Sequence, residues 1–320
     1  MTAQELPLHR ATRPLMGTFV TVTVDDDDAA RATEQIDLAF DAMKTWCTEA
    51  SEWEPASALS RIAAAPLNHA VPVSQRLFWL LNLAEQVWRE SSGAFDPSWL
   101  PLKALWPIRG QSEPPAADAV ASALAEVGLQ AMRLVGGRYP TVTKSHAGLR
   151  IGLGGIAKGA AVDLACEALE GAGATRFLVD AGGDIRGGTD GAGWLVAIRD
   201  AQGSNLHSLL QLQRGAVATS GSYEAGFEHR GRRYHHLLDP RTGYPVPRLG
   251  GVTVIAASCA LADALATACF VLGPTAARDL LRHHPCSAAL WLEADGTETA
   301  SDGWPIANDP IKLPPADGFC

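Results

Sequence analysis

The clearest alternation of apolar and polar positions lies at residues 19–24, FVTVTV, where β-branched side chains fall on alternate faces as in a strand. Four aspartates follow, Asp25 to Asp28. Carboxylates there solvate a turn and favour the positive N-terminus of a helix, a simpler reading than a metal cluster. That helix is marked by Ile36, Phe40, Met43 and Cys47, whose spacing lays one apolar stripe toward a core. A second stripe, Leu77, Leu80, Leu81, Ala84 and Val87, predicts a helix over about 74–90.

Residues 110–119, GQSEPPAADA, read as a surface loop entering a helix near 117–127. From Leu149 the texture changes. Short apolar runs (FLVDAGG, WLVAIRD, LLQLQ, VTVIAAS) sit between glycine-rich turns, with helices expected near 156–171, 261–272 and 274–283. Strands and helices mix without a regular βαβ alternation, so the predicted class is α+β.

Composition narrows the picture. In 320 residues, 47% are apolar, enough for a large core, and the formal charge is -9 with no basic stripe. A nucleic-acid surface is therefore not expected. The N-terminal stretch lacks the basic and apolar regions of a secretory signal, and no apolar run approaches about 18 residues, so a cytoplasmic protein without membrane insertion is expected. The six cysteines form no C-x-x-C pair and sit mostly among apolar neighbours, which indicates neither a disulfide framework nor a zinc site.

Three stretches carry candidate chemistry. GLGGIAKGAAVD, residues 152–163, runs glycines into a helix start that bears Lys158. Exposed N–H groups there attract anions, although such a turn serves packing as readily as binding. VDAGGDIRGG, residues 179–188, has the same ambiguity. In ADALATA, Asp263 and Thr267 stand four apart, one turn along a helix face. A carboxylate beside a hydroxyl suits a hard cation such as Mg2+, while capping and packing explain the pair equally simply. HHLLDPRTGYP, residues 235–245, joins the Leu237–Leu238 dyad of an expected strand to a turn held by Asp239, Pro240 and Gly243. A histidine ending that strand suits a general base, the alternative being a hydrogen-bonded edge histidine. Together the three suggest phosphoryl-type transfer from a nucleotide-like donor.

The order of motifs resembles the ApbE family of FAD:protein FMN transferases. The matching segments are MGTFVTV, SEWEPASALSRI, SSGAFDPSWLPL, GLGGIAKGAAVD, VDAGGDIRGG, AVATSGSYE, HHLLDPRTGYP and VTVIAASCALADALATACFVLG. The resemblance implies one domain over residues 1–320, with sub-lobes at about 1–148 and 149–320, in a mixed-sheet α+β fold of the T-fold-like type with FAD in the inter-lobe cleft. It implies that a Ser or Thr hydroxyl of a target protein attacks the FMN-side phosphorus and AMP leaves. The alternatives are hydrolysis of FAD to FMN and AMP, or FAD binding without catalysis.

By the same resemblance, Met16, Trp53, Ala94, Phe95, Asp96, Lys158 and Leu238 line the FAD site. Gly155, through its carbonyl, Asp263 and Thr267 hold Mg2+, and His236 is the base. The acceptor carries a Ser/Thr-Gly-Ala-Ser/Thr-like motif; the nearest match in this chain, Ala172-Gly173-Ala174-Thr175, lacks the first hydroxyl and reads as a helix end passing into a strand. Two positions depart from the family pattern: Gly152 stands where an aspartate is common and Ala63 where an asparagine is common, each removing a polar group from the expected site.

Overall fold

A computed structural model describes residues 7–189, 193–305 and 310–313. Its centre is a ten-stranded mixed sheet, with Leu8–Leu15, Thr18–Asp25, Arg176–Ala181, Ile185–Thr189, Leu206–Gly221, Gly250–Ala256, Ala288–Glu293 and Glu298–Ala300 side by side in that order. Trp194–Arg199 and Pro310–Lys312 also pair with the long Leu206–Gly221 strand. The expected FVTVTV strand is there. Its neighbour across the sheet is Arg176–Ala181, with Val22 opposite Val179, so a strand near the N-terminus pairs with one from the middle of the chain. The boundary suggested near residue 148 therefore does not separate the sheet.

The helices are α1 (Ala29–Glu49), α2 (Ala58–Ala64), α3 (Gln75–Glu90), α4 (Leu100–Leu105), α5 (Ala117–Leu124), α6 (Ala157–Gly171) and α7 (Cys259–Arg282). Asp28 caps α1 by accepting from the Ala30 and Arg31 amides, the role expected of the aspartate run, and Asp26 pairs with Arg31. The stripe of α1 buries Ile36, Phe40 and Met43, but Trp46 in place of the half-buried Cys47. Ser74 caps α3, whose five stripe residues are all buried. The two helices expected after Ser258 form one element broken at Gly273, where φ is 74° ahead of Pro274.

Helix α7 is long and apolar enough to cross a membrane by composition, but 61% of its apolar window is buried inside the protein. Its hydropathy is that of a core helix packed on the sheet. Cys166, Cys259 and Cys269 are buried and free, as small core residues should be. Cys286 is disulfide-bonded, which corrects the expectation that no cysteine pairs; Cys320 and the C-terminal tail lie outside the described residues.

Helix α6 is clamped at both ends by α1. Trp46 donates its indole N–H to the Ala157 carbonyl at 3.0 Å, and Gln35 donates to the Ala172 carbonyl at 3.1 Å. At that C-terminal end Gly173 has φ 80° and the Ala174 amide donates to Leu169, so residues 172–175 are a helix cap leading into a strand. Helices α6 and α7 cross in near contact, and Asp163 on α6 ties them by accepting from the Cys259 and Ala260 amides, each at 2.9 Å. The start of α6 is thereby fixed beside the second turn of α7.

Candidate active site

The glycine turn delivers its lysine into a charged cluster. Ile151, Leu153 and Ile156 anchor the turn in the core, and α6 begins with no side-chain cap. The amide of Gly159 in its first turn instead donates to Asp263 Oδ2 at 3.1 Å. Asp263 is 4% exposed and lies 4.0 Å from Lys158 Nζ, which also pairs with Asp184, itself 1% exposed. Burial opposes the lysine's charge, but the two carboxylates outweigh it and hold the ammonium above its ordinary pKa. Burial, reinforced by the neighbouring Asp263 charge, pushes the Asp184 carboxyl upward.

Capping does not explain Asp263, because Ser258 caps α7 and Asp163 serves its first amides. Thr267 follows one turn along, its hydroxyl 3.3 Å from Ser220 Oγ on the long central strand. The backbone of Gly155 is pressed against it: a Cβ there would lie 3.0 Å from Thr267 Oγ1. Among the described residues no three His, Cys, Asp or Glu side chains cluster as a metal site. What gathers is a mixed oxygen set, the carboxylates of Asp263 and Asp184 with the hydroxyls of Thr267 and Ser220. Such a set fits Mg2+, which keeps few protein ligands and takes the rest from phosphate and water.

The two adjacent histidines have opposite situations. His235 is fully buried, its Nε2 donating to the Arg248 carbonyl at 3.0 Å while Nδ1 accepts from the Leu237 amide at 3.2 Å. Burial depresses its pKa to about 4. It is the hydrogen-bonded histidine of the two. His236 turns to the cleft, with Nε2 3.8 Å from Glu224 and a buried Nδ1 that has no hydrogen-bond partner. Burial lowers its pKa, Glu224 partly offsets this, and the Lys158 charge adds to it, so the ring is neutral near pH 7. Of the expected dyad only Leu238 enters a strand, the two-residue Leu238–Asp239, paired with Tyr244–Pro245 around the turn held by Asp239.

Gly155, Lys158, Ser220, Glu224, His236, Asp263 and Thr267 face one cleft of about 1300 Å³, with Asp184 buried behind Lys158. Every residue selected for the site from the sequence lines it except Met16. Met16 sits with φ 53° in the turn between the first two strands, packed against the core. Ala94 and Phe95 form a buried wall after a turn made by Ser92 and Gly93, both at positive φ. Asp96 is occupied within that wall, accepting from the amide and hydroxyl of Ser98 at 2.7 and 2.6 Å. Trp53 stands 76% exposed at the mouth, with Lys103 Nζ 5.0 Å from its ring and 5.4 Å from that of Trp99.

Both departures from the family pattern lie in the cleft wall. A Cβ on Gly152 would meet Leu100 at 2.5 Å and the Glu52 carboxylate at 2.8 Å, so Glu52, paired with Lys103, keeps an acidic group at that point. The Ala63 carbonyl accepts from the buried Lys144 ammonium. Sequence reasoning missed Asp184, Ser220 and Glu52. All three stand in quoted motifs, but only burial against Lys158, contact with Thr267 and pairing with Lys103 single them out.

The ApbE family profile matches residues 16–291 of the chain. The FAD:protein FMN transferase of Treponema pallidum is 36% identical over 267 residues, covering 77% of this chain and 74% of that protein. That of Klebsiella pneumoniae is 31% identical over 299 residues, covering 89% and 84%. The crystal structure of the ApbE protein from Thermotoga maritima superposes with a TM-score of 0.83 at 30% identity, covering 92% of this chain and 97% of that one. The apo form of the Pseudomonas stutzeri flavinyl transferase ApbE gives 0.80 at 29%, covering 94% and 97%.

Proposed function

The chain belongs to the ApbE family, and on that footing we propose that it transfers FMN from FAD to a Ser or Thr hydroxyl of an acceptor protein, releasing AMP in a Mg2+-dependent reaction. The observation that carries the reading is the meeting, in one cleft, of a neutral histidine, a buried carboxylate and hydroxyl pair, and a lysine held charged. A cleft of about 1300 Å³ is ample for a dinucleotide.

The residues divide the chemistry as follows. Trp53 offers an exposed ring face on which a flat heterocycle can stack. Phe95 and Leu238 exclude water from the wall below it. Lys158 supplies positive potential to the diphosphate. Asp263, Thr267 and the Gly155 carbonyl would hold Mg2+, which when bound there neutralises phosphate oxygens and stabilises the departing AMP. His236, being unprotonated, accepts the proton of the incoming hydroxyl as the new O–P bond forms and the P–O bond to AMP breaks.

The test is to incubate the protein with FAD, Mg2+ and an acceptor carrying Ser-Gly-Ala-Thr and weigh the acceptor. A mass increase of one FMN, with AMP released in equal amount, is expected. AMP released at the same rate without acceptor, with no mass increase, would replace transfer by hydrolysis; FAD quenching with no AMP at all would leave a binding protein.

A further inference from the structure

A second cavity, of about 700 Å³, opens on a different side of the α6–α7 crossing from the reactive cleft. Lys158 lines the cleft, whereas Ala160 and Asp163, further along α6, line this pocket. Its walls are largely apolar. Trp79 of α3 is 52% exposed, and Leu83, Leu164 and Leu261, from α3, α6 and α7, are only half-buried. An indole and three leucines around one hollow form an apolar face with room for a partner.

Cys286 also lines this pocket, and it is disulfide-bonded. Cys47, Cys166, Cys259 and Cys269 are free thiols, which leaves Cys320 of the six. The route to it is short. Cys286 lies two residues before Ala288, which opposes Ile255 in the sheet. Leu313 donates its amide to the Arg214 carbonyl at 3.1 Å and packs beside Gly215, where a Cβ would also meet the Ala256 carbonyl at 3.2 Å. Leu313 and Ala288 therefore share one border of the sheet, two strand spacings or about 10 Å apart. Ala257 and Ser258, next along the chain from Ala256, line the pocket. The seven residues after Leu313, PPADGFC, span at most about 25 Å. That is enough to reach Cys286 with slack, and Phe319 carries an aromatic ring to the cysteine's side.

We propose that this pocket is the docking site of the chain's own segment 314–320, with the Phe319 ring packed against Trp79 and the leucines beside it and a Cys286–Cys320 disulfide holding it there. Forming the bond takes one proton and one electron from each thiol. A disulfide such as oxidised glutathione accepts them and leaves as two glutathione thiols, and dithiothreitol reverses the exchange. Asp163 in the pocket wall also ties α6 to the Cys259 and Ala260 amides, so the docked segment braces the crossing that carries Lys158 and Asp263. The inference stands apart from the proposed transfer reaction.

The pairing is tested on the full chain, equilibrated with oxidised glutathione, denatured in iodoacetamide and digested with trypsin. Cleavage after Arg282 and Lys312 gives peptides 283–312 and 313–320, which should appear as one mass and separate in dithiothreitol with a gain of two hydrogens. Acetamide or glutathione on Cys286 or Cys320 in most molecules, or a Cys286 bond to a second chain seen as a dimer on a non-reducing gel, would overturn the pairing. Docking is read separately, by hydroxyl-radical labelling of Trp79. Oxidised wild type should label at least about threefold more slowly than Phe319→Ala with its disulfide intact, because the ring then covers the indole. Cys320→Ser should melt about 4 °C or more below oxidised wild type. Equal Trp79 labelling in oxidised wild type and Phe319→Ala would overturn the docking. A tenfold loss of FAD affinity in Phe319→Ala, read by flavin quenching, would place the segment in the cleft instead and overturn it too.

Discussion

A Cβ on Gly159 would lie 2.2 Å from the carbonyl oxygen of Cys259, so helices α6 and α7 meet backbone to backbone. That approach places Lys158 and Asp263 side by side. Backbone on both sides leaves no flexible side chain to yield, and Gly159→Ala is expected to cost about 3 kcal/mol of folding stability. Urea denaturation measures the loss. Flavin transfer should fall in the folded fraction as well, because a widened crossing separates the Gly159 amide from Asp263.

Asp263 holds its position through the Gly159 amide and the Lys158 ammonium, and Asp263→Asn keeps an oxygen for the amide while removing the charge. Transfer is expected to fall at least about a hundredfold, with the Mg2+ concentration for half-maximal rate raised. A rate within about threefold of wild type over a Mg2+ titration would remove Asp263 from the cation site.

The acid limb of the rate profile should report His236. In the proposed reaction its unprotonated form is the active one, and burial with the Lys158 charge, partly offset by Glu224, lowers its folded pKa. Protonation therefore sets in below the ordinary histidine value of about 6.5. A plot of kcat/KM should be flat through pH 7 and fall only below that value, and His236→Ala should remove the limb along with most of the rate.

His235 makes the fold itself sensitive to acid. Its pKa is near 4 when folded and 6.5 in the exposed reference, so the unfolded chain binds the proton first. Its contribution is complete above pH 6.5 and is lost as the pH falls from there toward 4. Between pH 7 and pH 5 the loss is about 2 kcal/mol, from 1.5 pH units at about 1.4 kcal/mol each. Urea melts of wild type and His235→Gln at the two pH values should show a smaller drop in the variant.

Gly152→Asp restores the residue type usual in the family and is nonetheless expected to destabilise, by about 1–3 kcal/mol, since its Cβ would overlap Leu100 and the Glu52 carboxylate. Adding Glu52→Ala should recover part of that cost, a coupling readable by thermal melts of the single and double variants.

Much of this was legible along the chain because its causes are local. Asp28 and Ser74 cap helices because a short side-chain oxygen reaches amides two or three residues on. Asp263 and Thr267 share a face by helix geometry alone. Gly273 and Pro274 break α7 because of their own backbone preferences. The order of motifs, longer than any one spacing, pointed to the ApbE family, and the strand and helix mixture to α+β.

Other facts needed the chain to close on itself. The pairing of Thr18–Asp25 with Arg176–Ala181, the choice of His236 over His235 to face the cleft, and the gathering of Asp184, Ser220 and Glu52 around it depend on groups far apart in sequence. Periodicity and capping act over a few residues, so the sequence by itself determined the elements and the reactive residue types. Which carboxylate is buried, and beside which cation, is set by packing between distant segments, and that the tertiary structure alone decided.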